Sequence, residues 1–532
     1  MDNKTIAKHF DLIAKLMELH QQNPFKIRTY ANAYQSIARN DQQLIELDAD
    51  ALIAVPGIGK TLAQNIIELK EKGTIKVLDE LIALTPPGIL DVLKIKGLGA
   101  KKIAQIWNDL GVESLGELEY ACQENRLMDL KGFGKKTQQD ILKQIDFLRN
   151  SKGALLLSAG MEFGDNVLMQ FRELFPDARF EITGSLKRKM EVVRQIDIAG
   201  TIESEFLLEK IHDLDDFSLQ NGLIHYKSIP VTYHFSLQKD FQDNYLLSLL
   251  PESLNPDIFP YSLAELQRIP AECLDLVAMS NVKQQTDFDQ LIDFDDVRGV
   301  IHAHSKWSDG NNTIEEMAVA CKEAGYQYLL LTDHSASAFY ANGLTEERVL
   351  QQWKEIDKIN ERWSDFKVFK GIESDILTDG RLDYSYDFIT GFDVVIASVH
   401  SVLKMDEVTA TTRLIKAIEH PSTRILGHMT GRLLLSRSGY PVDHKKIIDA
   451  CASNKVVIEI NANPHRLDID WRWLPYAMEK GVGICISPDA HHIRGIKDLV
   501  YGVWMARKGG LVRDSCLNTK DRQAFENWVS SK

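Results

Sequence analysis

From residue 292 onward the chain alternates apolar runs with amphipathic stretches, and few architectures accept that order. The runs "VRGVIH", "YQYLLLTDH", "FKVFKGIES", "FDVVIASVHS", "TRILGHM", "KVVIEINA" and "VGICISPDAHH" read as seven strands. Segments such as "TIEEMAVACKEA", "TEERVLQQWKEIDKINERW" and "HKKIIDACAS" place apolar residues at helical spacing between many of them. Seven β/α units in about 240 residues predict a parallel barrel rather than an open sheet.

Polar residues fall at one end of these strands. His302 and His304 end the first, with Asp309 in its loop, and His334 ends the second. Glu373 ends the third, His400 the fourth, His428 the fifth, and Asp489 with His491 the seventh. Side chains two apart on a strand point the same way, so "GVIHAHSKWSDG" should aim both imidazoles at one point. At the C-terminal rim of a parallel barrel the loops converge on one mouth, where the chemistry sits. One histidine there is as readily structural as functional. Six histidines and three acids together predict a cage for divalent cations.

Mixed imidazole and carboxylate ligation suits manganese, zinc or iron better than magnesium alone. Glu373 is well suited to bridging two ions, and with Asp489 it is expected at the reacting centre. Arg432, Arg437 and Arg466 follow the fifth and sixth strands and are candidates for gripping substrate phosphate. Ion pairs with rim acids such as Asp468 are the alternative.

The runs "HAH", "TDH", "GIE", "SVH", "GH" and "DAH" resemble the signature of the PHP (polymerase and histidinol phosphatase) domain. That resemblance implies phosphoester hydrolysis. It also implies three ions per site, held by His302, His304, Asp309, His334, Glu373, His400, His428, Asp489 and His491. The stretches "TDHS", "ANGL", "GIESDILTDGRLDY", "IASVHS" and "INANPHRLDI" are more narrowly similar to bacterial family X DNA polymerases. Those proteins carry helix-hairpin-helix elements, a palm and a PHP domain in this order.

The first 150 residues read as short helices broken by three recurrent hairpins, "VPGIGK", "IKGLGA" and "LKGFGK". Two glycines permit a tight turn with positive φ, and the helix that follows opens with unpaired N–H groups able to hold an anion. The candidate DNA-binding residues are Gly57, Gly59 and Lys60; Gly97, Gly99 and Lys101; and Gly132, Gly134 and Lys135. The pattern resembles helix-hairpin-helix motifs, which grip the backbone without reading sequence.

Between these regions, "FEITGSLKRKMEVVRQIDIAGTIE" resembles the palm of family X polymerases. The resemblance implies that Gly184-Ser185 would cradle nucleotide phosphate and that three acids would hold two magnesium ions. Asp197 matches one acid, but Gln195 stands at the first position and Thr232 at the third. One carboxylate is too little charge for two hard cations. Gly184, Ser185 and Asp197 are therefore expected to be a remnant, and magnesium is expected only if the palm still works. Glu191 lies on the wrong side of the turn to compensate.

These readings predict a multidomain chain. Residues 1–80 form an N-terminal helical helix-hairpin-helix domain, and residues 81–150 a fingers-like one. Residues 151–290 form a shortened α+β palm and thumb-like region, and residues 291–532 a distorted (β/α)7 PHP barrel. Net charge is −14, yet residues 1–150 balance at 20 basic against 20 acidic. The acidic excess thus lies in the later part and does not argue against DNA. Six scattered cysteines, no span of about 20 apolar residues and an N-terminus unlike a signal peptide suit a cytoplasmic protein, monomeric by default.

The expected function is a DNA-repair phosphoesterase acting on gapped, nicked or 3′-ended DNA. The resemblance implies 3′→5′ exonuclease action, with abasic-site cleavage or 3′-phosphate removal as further options. The alternatives are a gap-filling polymerase whose barrel proofreads, a DNA-end scaffold, or a phosphatase for small esters.

Overall fold

Each of the first helices is started by a residue suited to the job. Asp2 accepts the Thr5 N–H at 2.8 Å to open Asn3–Leu19, and Asn23 caps Pro24–Ala38, whose proline fits the first turn. On Asn3–Leu19 the buried residues Ile6, Phe10, Ile13 and Met17 recur at helical spacing. That face packs against Pro24–Ala38, Lys76–Leu84 and Ala100–Leu110, so elements from both expected helical regions meet in one core.

In this computed structural model, residues 1–40, 42–149, 153–212, 214–251, 261–280 and 287–531 are described. They gather into two units, residues 1–122 with 126–145, and residues 123–125 with 146–532. The expected boundary at 150 and part of the shortened thumb-like stretch lie outside the described residues.

The second unit begins with an α+β layer. Its strands are β1 (Leu155–Leu156), β2 (Phe180–Thr183), β3 (Val192–Val193), β4 (Ile196–Gly200), β5 (Phe217–Gln220), β6 (Leu223–Tyr226) and β7 (Ile229–Phe235). β1 pairs with β3, and the other five form a sheet in the order β2-β4-β7-β6-β5. Helix Leu157–Leu174 covers this sheet, with Phe163, Val167 and Phe171 among the buried apolar residues.

Seven parallel strands follow: β8 (Gly299–Ala303), β9 (Tyr328–Leu331), β10 (Lys367–Asp375), β11 (Val394–Ser398), β12 (Thr423–Leu426), β13 (Val457–Asn461) and β14 (Ile484–Ser487). They pair in strict sequence order, each joined to the next through at least one helix. Ladder hydrogen bonding runs from β8 to β14, and two devices bring the ends together. At the rim Ala303 bridges Ala490, with His304 N–H donating to Ala490 C=O at 3.0 Å. Lower down, the buried Asn518 amide donates to Gly299 C=O at 3.1 Å and to Ile486 C=O at 2.8 Å. Inside, Ile301, Tyr328, Leu330, Phe369, Ile396 and Phe525 belong to one packed core rather than lining a pore.

The palm-like layer and the barrel share apolar packing through Leu157, Leu186 and Val193. A wholly buried lysine, Lys508, adds polar linkage. It donates to Arg188 C=O at 2.9 Å and pairs with Asp275, which the Arg188 guanidinium also holds at 3.2 Å. Glu191 pairs with Arg472 at 2.7 Å, so it braces the barrel and plays no part beside Asp197.

Candidate active site and nucleic-acid interface

β8 does not run straight into the cage. Its register against β9 shifts between Ile301 and Ala303, and His302 sits in the left-handed region at φ +69°. The expected alternation of an ideal strand is thus replaced by a kink, which still brings the His302 and His304 rings to 5.2 Å. Asp489 is also left-handed, at φ +51°. Non-glycine residues held there are strained, and such strain clusters at working sites.

Asp333, one residue before His334, shapes the next loop. Its carboxylate accepts from Ser305 N–H (2.7 Å), Ser308 N–H (3.2 Å), both serine hydroxyls and the Gln352 amide (2.6 Å). The loop turns at Gly310, where a Cβ would meet His304 C=O at 2.6 Å, and Asp309 is delivered inward.

Eight of the nine positions fall into three groups whose ligand atoms lie within 4.8 Å of one another. One holds His304, Asp309, His334 and His491; another His302, His304 and Asp489; the last His334, Glu373 and His400. The ninth, His428, places Nε2 at 3.0 Å from Glu373 Oε1. Glu373 is the hub: Oε1 also faces His400 Nε2 at 3.1 Å and His302 Nε2 at 3.4 Å, while Oε2 faces His334 Nδ1 at 3.0 Å. It lies inside β10 rather than at its end, since that strand runs on to Asp375.

Burial alone would raise the carboxyls of Asp309, Glu373 and Asp489, yet the facing histidines hold all three well below the usual range. Burial, with His491 and His334 alongside, drives His304 down to about 3. Burial opposes the charged form of His491 as well, but Asp309 lifts it to about 9.

Several of these atoms have no hydrogen-bond partner among the described residues although wholly buried: His302 Nε2, His304 Nδ1, both His334 nitrogens, His491 Nε2, Asp309 Oδ2 and Glu373 Oε2. They face one another without satisfying one another. Buried polar atoms are almost always paired, so donors gathered this way fit divalent cations.

The three arginines differ. Arg466 is buried with Nε 3.9 Å from Asp489 Oδ2. Arg432 instead pairs with Asp470 at 2.7 Å and donates to the carbonyls of Arg466 and Leu467. For Arg432 the ion-pair alternative is therefore what the structure contains, with Asp470 in place of Asp468. Asp468 accepts from Thr430, and Arg437 donates to Gly431 C=O at 2.9 Å. Reasoning from residue positions missed Asp333, Asp375 and Glu459. Asp375 accepts from His400 Nδ1 and Glu459 from His302 Nδ1. The available signal was an acid inside or beside an apolar run, as in "VVIEINA".

The three glycine hairpins share one geometry. Gly57, Gly97 and Gly132 are left-handed at φ +88°, +83° and +89°. In each, the residue between the glycines donates back three positions: Ile58 to Val55 (3.0 Å), Leu98 to Ile95 (3.3 Å) and Phe133 to Leu130 (3.1 Å). Those middle residues are buried, and helices Lys60–Lys72, Ala100–Leu110 and Lys135–Arg149 follow at once. Gly59 and Gly99 cap the first two with no side chain over the free N–H groups, while Lys60, Lys101 and Lys135 are exposed beside them.

In the palm-like sheet, Thr232 lies opposite Asp197 on the adjacent parallel strand. Asp197 accepts from Gln195 Nε2 at 2.9 Å and faces His234 Nε2 at 3.1 Å. A Cβ on Gly184, at φ +59°, would fall 2.3 Å from Asp197 Oδ2, so the carboxylate packs directly on that glycine, with Ser185 next in the turn. Among the described residues, no trio of metal-ligating side chains gathers here.

Comparison with known proteins places these features together. The DNA polymerase/3′-5′ exonuclease PolX of Bacillus subtilis is 32% identical over 99% of this chain and 99% of its own length. The chain belongs to the bacterial PolX family. Within this PolX-family chain, the helix-hairpin-helix domain family matches residues 1–75 and the SAM-like helix-hairpin-helix tandem family residues 89–146. The PHP domain family matches residues 301–463. Two probable phosphatases, from Thermoanaerobacter sp. and Vibrio parahaemolyticus, are each 26% identical, over 39% and 40% of the chain and 84% and 85% of their own lengths. No helix among the described residues is long and apolar enough to cross a membrane.

Proposed function

We propose that the protein is a metal-dependent DNA phosphodiesterase that shortens 3′ ends and no longer polymerises. The observation that carries this reading is the convergence of six histidines and three acids, remote in sequence, on Glu373 and its neighbours. Three ions, manganese or zinc, with iron a further option, are the proposed complement. Bound divalent ions would acidify a water and offset charge building on a phosphoryl oxygen. Asp309, Glu373 and Asp489 would help to hold the ions and would offset part of their positive charge. Arg466, beside Asp489, would orient a substrate phosphate.

The substrate proposed is DNA with a gapped, nicked or free 3′ end, held by its backbone on the three hairpins. The division at residues 80, 150 and 290 belongs to this reading, with hairpins before a palm remnant and the PHP barrel after it. Loss of polymerisation is supported by the surroundings of Asp197: Gln195 and Thr232 stand where two further acids would be needed, and its carboxylate meets the Gln195 amide and the His234 imidazole. The phosphatase relatives lend support to removal of a terminal 3′ phosphate by the same centre.

The test uses end-labelled gapped DNA with Mn²⁺, with and without dNTPs. Wild type should degrade the 3′ end, and His302→Ala and Asp489→Ala should abolish this while retaining DNA binding. Degradation unchanged in those variants would remove the assignment.

A further inference from the structure

β13 is the one barrel strand with none of the nine proposed ligands either within it or in the segment just after it, yet it places an acid at the centre of the site. Val457 packs in the barrel interior, and the two-residue period of a strand puts Glu459 and Asn461 on the same face, nearer the mouth. Glu459 is wholly buried, a setting in which a carboxylate persists only when its oxygens are matched by donors. Both are matched. Oε2 accepts from His302 Nδ1 at 2.6 Å. Oε1 accepts the His428 backbone N–H at 3.0 Å and the Asn461 amide at 3.1 Å. The same amide donates to Asp489 Oδ2 at 3.0 Å.

We infer that Glu459 is a positioning residue for the metal centre, acting through His302 and not as a ligand. With Nδ1–H committed to Glu459, the neutral ring of His302 carries its lone pair on Nε2, the tautomer that a metal ion requires. That nitrogen has no hydrogen-bond partner among the described residues and lies 3.4 Å from both Glu373 Oε1 and Asp489 Oδ1. The backbone alone is a poor guide for this ring, because His302 stands in a left-handed kink. Glu459 supplies the missing constraint and, through its other oxygen and Asn461, ties the ring to the chain at His428 and to Asp489. A carboxylate behind a ligating histidine fixes tautomer and orientation and strengthens the ring as a donor. The inference rests on the reading of the cage as a metal centre.

The experiment measures Mn²⁺ and Zn²⁺ binding to the full-length chain by equilibrium dialysis, in wild type, Glu459→Gln, His302→Ala and the double variant. Glutamine keeps the shape but can donate to Nδ1 and so favours the wrong tautomer. The expected result is a 10–100-fold weaker step for one ion in Glu459→Gln with DNA retention unchanged, the melting of the metal-free protein reporting separately what the lost hydrogen bonds cost the fold. In the His302→Ala background the same substitution should cost nothing further, because the two side chains act as a unit. Glu459→Asp, which keeps the charge and shortens the reach, should fall between, and it carries the same cycle if the glutamine variant does not fold. Wild-type affinity in Glu459→Gln, or an equal loss with and without His302, would overturn the inference. A wild-type chain that binds neither ion would overturn the metal reading itself and this inference with it.

Discussion

Glu373 Oε1 and His428 Nε2 lie 3.0 Å apart, each side chain 1% exposed, although 55 residues separate them in the chain. That pairing ties β10 to the loop after β12, across the intervening β11. With His400, His302, His334 and His304 also facing it, the Glu373 carboxylate meets five of the six imidazoles.

Glu373→Gln should therefore damage the centre more than loss of a group behind a ligand, which costs about 10–100-fold. Mn²⁺-dependent 3′ degradation should fall by about 100-fold or more in single-turnover assays. The melting midpoint of wild type should rise with added Mn²⁺ or Zn²⁺, and that gain should shrink in the variant. An equal gain in both would show that Glu373 holds no ion.

The hairpins can be separated by their surroundings. At Gly97 an added Cβ meets nothing, so Gly97→Ala should cost only the left-handed backbone, about 1–2 kcal/mol. At Gly57 the Cβ would lie 2.6 Å from Ser36 Oγ, so Gly57→Ala should destabilise more. Denaturant unfolding ranks the two. Replacing Lys60, Lys101 and Lys135 with alanine should weaken duplex binding and lower the salt slope by about 0.9 for each phosphate no longer neutralised. An unchanged slope would place DNA elsewhere.

For the palm remnant, wild type should incorporate no nucleotide on gapped DNA with Mg²⁺ or Mn²⁺. Asp197→Asn should leave 3′ degradation at the wild-type rate, because its carboxylate is engaged by Gln195 and His234 within the palm-like sheet and not by the cage. Template-directed extension on a primer gel would restore the polymerase reading.

Asp498 provides the pH test. Burial pushes its carboxyl up to about 7. Between pH ~4 and ~7 the folded chain holds this proton while the unfolded chain has released it, so stability present at low pH is lost as pH rises through about 7. Asp498→Asn removes that loss. Its melting midpoint should exceed wild type by about 2–4 °C at pH 8 and match it near pH 4. A gain that is the same at both pH values would refute the assignment.

Residue order alone was enough to pick out nine side chains that the fold gathers and the three glycine hairpins, for a physical reason. A parallel barrel converts the ends of its strands into one mouth, so a histidine or acid there needs no distant partner to be recognised, and Gly-x-Gly marks a turn locally. Other features depend on groups that meet only through space. The kink at His302, the match of Glu459 and Asp375 to particular ring nitrogens, and the bridging of Gly299 to Ile486 by Asn518 have no local signature. Nor does the capture of Arg432 by Asp470, or the buried Lys508 that joins barrel to palm. Burial makes every such polar atom find a partner, and which partner is within reach is decided by packing.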